Sequence, residues 1–158
     1  MAVEFCRIDD RLIHGQVVTT WLIIKQIEQV IIVDDAVAKD KIQSNVLKMS
    51  VPPNIKLHIF TTEKFLKIVP NNPVTRRTML LFASPFTVEE IVDSGYKIEK
   101  LNIGGIRGND KRKQYTKAVF LTDYEKCALE KIMDQGVDIE IQMVPTDGAV
   151  KLREVLEK

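Results

Sequence analysis

No apolar stretch of this sequence approaches the roughly 20 residues needed to span a bilayer, which argues against direct membrane insertion. The opening residues, Met1-Ala2-Val3-Glu4-Phe5-Cys6-Arg7, lack the basic-then-apolar layout of a signal peptide. The expectation is a cytoplasmic protein that meets a membrane only through partner proteins. Cysteine is scarce. Cys6 and Cys127 have neither CxxC spacing nor a companion histidine cluster, so a disulfide framework is not expected, and both read as buried or half-buried free thiols. Histidine is equally scarce: His14 and His58 lie far apart and make a poor metal site. No metal or organic cofactor is expected. Neither charge dominates, with 23 basic against 22 acidic residues, so no global field favours nucleic acid. The basic cluster Lys111-Arg112-Lys113 reads as a solvated loop or helix end, since no nucleic-acid motif accompanies it. GxxxxGK[ST] and GxSxG are absent, and Gly104-Gly105 does not complete GxGxxG. Repeats, low-complexity tracts and Gly/Ser linkers are absent too, leaving one domain over 1–158.

What is present is a regular alternation of strand-like and helix-like segments. Val3 to Ile8 reads as a strand, and Gln16 to Glu28 as a helix with Val17, Val18, Trp21, Leu22 and Ile24 on its apolar face. Val30-Ile31-Ile32-Val33 is β-branched and apolar on both sides, as a covered parallel strand should be. A helix over Lys39 to Met49 follows, with Ile42, Val46, Leu47 and Met49 toward the core and Pro52-Pro53 as its stop. Ile55 to Phe60, Thr78 to Ala83, Lys100 to Ile103, Ala118 to Leu121 and Val137 to Val144 read as further strands. Glu63 to Val69 and Ala149 to Leu156 read as helices. Thr87-Val88-Glu89-Glu90 and Thr122-Asp123-Tyr124-Glu125 have capping-box spacing, with Gly95 and Gly136 as the corresponding stops. This pattern implies a three-layer α/β fold: an open, twisted, mostly parallel sheet with helices on both faces. In such sheets ligands meet the carboxyl ends of the strands, which directs attention to the first loop, Asp9 to Gly15.

That loop reads Arg7-Ile8-Asp9-Asp10-Arg11-Leu12-Ile13-His14-Gly15-Gln16. A neutral imidazole is a competent nucleophile at physiological pH, and phosphorus is a suitable electrophile for it. Arg11 offers a planar fork suited to a phosphoryl group in transit. Asp9 or Asp10 can hold one ring nitrogen of His14 and leave the other free, and the residues leave both options and the choice of nitrogen open. Gly15 lets backbone approach an anion at a helix start, where N–H groups point the same way. A bland alternative exists: a surface histidine beside an ion-pair loop worth under about 1 kcal/mol.

Arg7 through Val17 resembles the active-site signature of the IIB components of the mannose/fructose/sorbose family of the phosphoenolpyruvate-dependent sugar phosphotransferase system. Weaker resemblances follow in order at Val33-Asp34-Asp35-Ala36-Val37-Ala38, at Leu47-Lys48-Met49 with Pro52-Pro53, at Leu101-Asn102-Ile103-Gly104-Gly105 and at Met143-Val144-Pro145-Thr146-Asp147. The resemblance implies a protein-N(pi)-phosphohistidine–sugar phosphotransferase. It places the phosphorylated histidine at His14 and the phosphate-stabilising arginine at Arg11. It implies a IIA component as phosphoryl donor, with the sugar held by membrane components IIC and IID. Family members often carry a longer stretch where this chain has Ile106-Arg107-Gly108-Asn109-Asp110, and Arg107 is a further candidate to reach a phosphate on His14.

Other chemistry-bearing residues receive plainer readings. Asp34-Asp35 resembles the acidic pair of a receiver domain, but the third strand ends His58-Ile59-Phe60-Thr61-Thr62 without the acid such a domain needs. The pair is read as loop residues that can help orient the active loop. His58 is read as structural or solvent-facing, and Ser84-Pro85 as a turn, with Ser84 a secondary candidate for phosphate contact. Two rival functions are a non-catalytic regulatory or binding module on the same fold, and a small-molecule enzyme using His14 as an acid–base group.

Overall fold

The computed structural model describes residues 3–157, apart from the side chains at positions 16 and 17. Sixteen elements follow in the order β1 (Val3–Asp9), α1 (Gly15–Ile24), β2 (Gln29–Val33), α2 (Asp35–Lys39), α3 (Lys41–Ser50), β3 (Lys56–Phe60), α4 (Thr62–Ile68), β4 (Thr78–Phe82), α5 (Pro85–Asp93), β5 (Lys100–Gly105), β6 (Lys113–Gln114), β7 (Phe120–Leu121), α6 (Asp123–Asp134), β8 (Asp138–Ile141), β9 (Val150–Lys151) and α7 (Leu152–Leu156). Seven strands form one sheet in the order β3-β2-β4-β1-β5-β8-β9. Its pairings are parallel except that of β9 with β8.

Period-two alternation splits the core into two layers. On one face, Leu12, Val18, Leu22, Val37 and Leu47 pack on Val30, Ile32, Met79 and Leu81. On the other, Phe65, Val88, Ile91, Leu129, Ile132 and Leu152 pack on Ile8, Ile31, Leu80, Phe82, Ile103 and Ile139. The strands β2 and β4 are buried at every position, as strands covered on both faces should be. The expected three-layer α/β architecture is the observed one. The connection after β1 enters α1 on the first face, and that after β4 enters α5 on the second. They diverge to opposite faces at the carboxyl ends of two neighbouring strands, the kind of switch point at which such sheets meet their ligands.

Several local expectations are corrected. The helix expected to Glu28 ends at Ile24, where Gln26 turns to φ 54. Ile24 is exposed rather than on the apolar face, and the Val17 side chain lies outside the described residues. The helix expected over Lys39 to Met49 is α3, which starts at Lys41 because the Asp40 carboxylate caps it at Gln43 N, while Lys39 ends the separate α2. Of its expected core face only Leu47 is buried, while Ile42, Val46 and Met49 are exposed. Thr87 is not a cap. Ser84 is, accepting from Phe86 N with Pro85 in the first turn, so the Ser-Pro pair starts a helix. The second box is present: Thr122 and Glu125 satisfy each other's backbone N–H. Ala118 to Leu121 shortens to β7, which pairs antiparallel with β6 outside the main sheet. The last expected helix begins at Leu152, because Val150 and Lys151 extend the sheet edge. Cys6 is buried, which pushes its thiol up to about 12, whereas Cys127 is exposed.

Candidate active site

In β1, Cys6 and Ile8 join the second-face core, so Phe5, Arg7 and Asp9 point to the first. In β5, Leu101 and Ile103 take the second face, which turns Asn102 to the first. The register Arg7↔Asn102 then sets these polar groups side by side. Past Asp9 the chain closes a tight turn, with Leu12 N–H donating to the Asp9 carbonyl at 2.9 Å. Leu12 sits at φ 57, a left-handed conformation uncommon for leucine, and its burial holds it there. Gly15 at φ 49 needs glycine for its backbone rather than for space, since an added Cβ would meet nothing within 4 Å.

His14 is the N-cap residue of α1, yet its side chain makes no capping bond. The ring is turned instead to Asp9, with Nε2–H donating to Oδ2 at 3.0 Å. Nδ1 makes no hydrogen bond among the described residues, and the side chain is 19% exposed. The ring is therefore held by one nitrogen and offers the other beside the open N–H groups of a helix start. Asp9 is itself pinned. Oδ2 also accepts from Arg7 Nη2 at 3.1 Å, and Oδ1 accepts from Arg11 N–H at 3.1 Å.

Of the two candidate carboxylates, Asp9 reaches the ring and Asp10 is turned away. Asp10 N–H donates to the Gly105 carbonyl, and its Oδ2 accepts from Arg107 N–H at 2.9 Å and from Arg107 Nε at 3.3 Å. The Arg11 side chain is exposed and makes no hydrogen bond or ion pair among the described residues, which leaves its fork free beside the loop. Arg107, the other candidate for a phosphate, is occupied by Asp10 in this arrangement. Ser84 Oγ serves as a helix cap. Asp34 caps α2, and Asp35 accepts from Thr62 N–H, so both acids organise helix starts rather than the active loop. His58 is largely exposed and stacks on Phe60, and partial desolvation together with Lys56, Arg76 and Lys48 lowers its ring below the ordinary histidine value. Within the basic cluster, Lys111 and Lys113 are exposed, but Arg112 grips Glu125 through two 2.9 Å bonds.

The residue that sequence reasoning passed over is Arg7. Its position two residues before Asp9, between the apolar Cys6 and Ile8, was the available signal: a buried guanidinium there needs a carboxylate on the same face. Among the described residues no cluster of three or more His, Cys, Asp and Glu side chains is placed to hold a metal ion. No helix among them is long and apolar enough to cross a membrane. Cavities of about 450 and 410 Å³ occur elsewhere, and His14 lines neither.

Comparisons with known proteins bear on the fold and the family. The crystal structure of the IIBSor domain of the sorbose permease from Klebsiella pneumoniae superposes with TM-score 0.92 at 32% identity, covering 99% of this chain and 97% of that one. The sorbose-specific EIIB component of Lacticaseibacillus casei is 35% identical, covering 100% of this chain and 99% of its own. The mannose-specific EIIAB component of Escherichia coli K12 is 34% identical over 160 residues, and the chain spans 49% of its length. The family described as "PTS system sorbose subfamily IIB component" matches residues 3–158, and the chain belongs to that family.

Proposed function

We propose that the chain, acting as one unit, is a cytoplasmic phosphohistidine carrier that takes a phosphoryl group onto His14 and passes it to a sugar. The observation that carries this reading is the single-sided hold on the ring. Asp9 occupies Nε2, and Nδ1 is left as the basic lone pair on a partly exposed histidine. In the first transfer Nδ1 forms a bond to phosphorus as the donor's nitrogen–phosphorus bond breaks. Nε2 keeps its proton, and the ring gains a positive charge that the Asp9 carboxylate faces. Arg11 swings onto the phosphoryl oxygens, and the first-turn N–H groups of α1 add donors. In the second transfer the nitrogen–phosphorus bond breaks as a sugar hydroxyl oxygen bonds to phosphorus, the hydroxyl proton passes to solvent, and His14 returns to its neutral form with Nε2 still protonated. Such chemistry rests on positioning and charge compensation. The donor is a IIA component, and the sugar is held by IIC and IID membrane components. The relatives span mannose, fructose, sorbose and N-acetylgalactosamine systems, so the sugar is left open.

The test is intact mass after incubation with phosphoenolpyruvate, the two general phosphotransferase proteins and a matched IIA. One acid-labile phosphoryl group, absent in His14→Gln, is the expected result. No added mass, with the IIA shown to be charged, would favour a regulatory module instead.

A further inference from the structure

The active-site account above leaves unexplained why a fully buried arginine stands in the central strand. Arg7 is 0% exposed, and its guanidinium is held from three directions. Nη1 donates to Asn102 Oδ1 at 2.6 Å and to the Gln142 carbonyl at 3.1 Å. Nη2 donates to the Met143 carbonyl at 3.0 Å and to Asp9 Oδ2 at 3.1 Å. Trp21 of α1 lies against it at 5.5 Å and donates its own Nε1–H to the same Met143 carbonyl at 2.8 Å. The last wall is Gly104, where an added Cβ would collide with Nη2 and the guanidinium carbon. A seat built from one strand, a helix and a loop near the C-terminus, with a glycine kept empty for it, is more than a counter-charge requires. What the seat delivers is one nitrogen onto the oxygen that also holds His14 Nε2.

We infer that Arg7 is a positioning residue for the carrier histidine: seated by Gly104, Asn102 and the 142–143 carbonyls, it locks the Asp9 carboxylate and so determines which ring nitrogen His14 presents. The inference rests on the carrier reading and deepens it. Arg7 never touches the phosphoryl group; it acts through Asp9. With the lock in place Asp9 has one orientation, Nε2 is masked, and only Nδ1 is open to phosphorus. Without it the buried carboxylate loses its fixed partner and swings or takes up a proton, and both ring nitrogens become available. The seat also explains two of the later sequence landmarks. The segment around Asn102 and Gly104 and the segment at Met143 meet at this guanidinium, more than ninety residues from Arg7 in one case and more than a hundred and thirty in the other.

The experiment uses potassium phosphoramidate, which phosphorylates histidine without any partner protein, on the full chain in a His58→Gln background that leaves His14 as its only histidine. The two phosphohistidine isomers are separated by their phosphorus NMR resonances. The unaltered site is expected to give the Nδ1 isomer alone. Arg7→Gln, and Gly104→Ala, which keeps both charges but displaces the guanidinium, are each expected to add the Nε2 isomer. Both should also slow transfer from a charged IIA by about 100-fold, the scale of a small misplacement of a reacting group. In an Asp9→Asn background Arg7→Gln should change the isomer ratio no further, as expected for a residue acting through Asp9. Circular dichroism identifies which variants fold. Should neither fold, Asn102→Ala, which trims one acceptor and keeps both charges, decides by the same two readouts. Folded variants that give only the Nδ1 isomer and transfer at the unaltered rate would overturn the role of Arg7. Failure of the unaltered His14 to be labelled at all would instead strike at the carrier reading.

Discussion

Asp9 and Asp10 are chain neighbours with the same side chain, and they leave β1 for opposite tasks. Asp9 points into the sheet face, 1% exposed, between a buried guanidinium and the histidine ring. Asp10 points to the other side of the strand end, 14% exposed, and tethers the excursion after β5 through Arg107, with Arg112 at 3.9 Å. One carboxylate holds the His14 ring, and the other holds a loop. The difference is where the strand stops: Asp9, the last residue of β1, follows the strand's alternation to the first face, while Asp10 opens the turn with its N–H tied to the Gly105 carbonyl. It teaches that an acidic pair in an active loop is not a redundant pair: burial and partner decide what each member does.

Substitutions can break this contrast. The largest effect is expected from Asp9→Asn, which leaves Arg7 buried without its counter-charge. Loss of one partner from a buried pair costs about 3–5 kcal/mol, readable as a lowered urea midpoint. Arg11→Ala is expected next: transfer from IIA slows on the order of 100- to 1000-fold in a stopped-flow or quench assay, as for loss of one donor to developing charge. Its unfolding free energy should move by no more than about 0.5 kcal/mol, since the side chain is exposed and unengaged.

Arg112→Ala sharpens the Asp10 side of the comparison. It leaves the Glu125 carboxylate, inside the capping box, without its fork, at a cost of about 1–3 kcal/mol. The effect has a pH signature. Burial pushes the Glu125 carboxyl up, but Arg112 and the Thr122 backbone and hydroxyl outweigh it and hold the group below its ordinary value. A carboxyl lowered in the folded state contributes stability above its unfolded value, and that contribution is lost as pH falls through the folded one. The gap between the unaltered protein and Arg112→Ala should therefore be widest near neutrality and narrow in acid, as measured by urea unfolding across pH. The smallest effect is expected from Arg107→Ala. It removes an exposed pair with Asp10 worth under about 1 kcal/mol, while the Arg107 N–H still reaches the carboxylate. Unchanged transfer kinetics would end the idea that Arg107 serves the phosphoryl group; a marked slowing would show that it leaves Asp10 during the reaction.

Features read correctly from the sequence depend on near neighbours. The capping box at Thr122 and Glu125 joins residues three apart, and the all-apolar run of β2 reports its own burial. Local reading failed where two local signals competed. Thr87 has a capping-box pattern, but Ser84-Pro85 upstream supplies both a cap and a first-turn proline, and the helix starts there. Ile42, Val46 and Met49 have helical spacing and still face outward, because periodicity marks an apolar stripe without saying whether anything covers it.

The sequence by itself determined the layered α/β plan, because alternating periods and turn residues are local physics. It also brought His14 and Arg11 into one loop, since they lie three residues apart. Only the tertiary structure decided which aspartate takes the ring, which ring nitrogen stays open and what holds that aspartate still. The Asp9 carboxylate is met there by Arg7, against which parallel pairing of distant strands brings Asn102, Gly104 and the carbonyls of Gln142 and Met143. Register between strands is set by packing of the whole sheet, and no short-range pattern in a single segment encodes it.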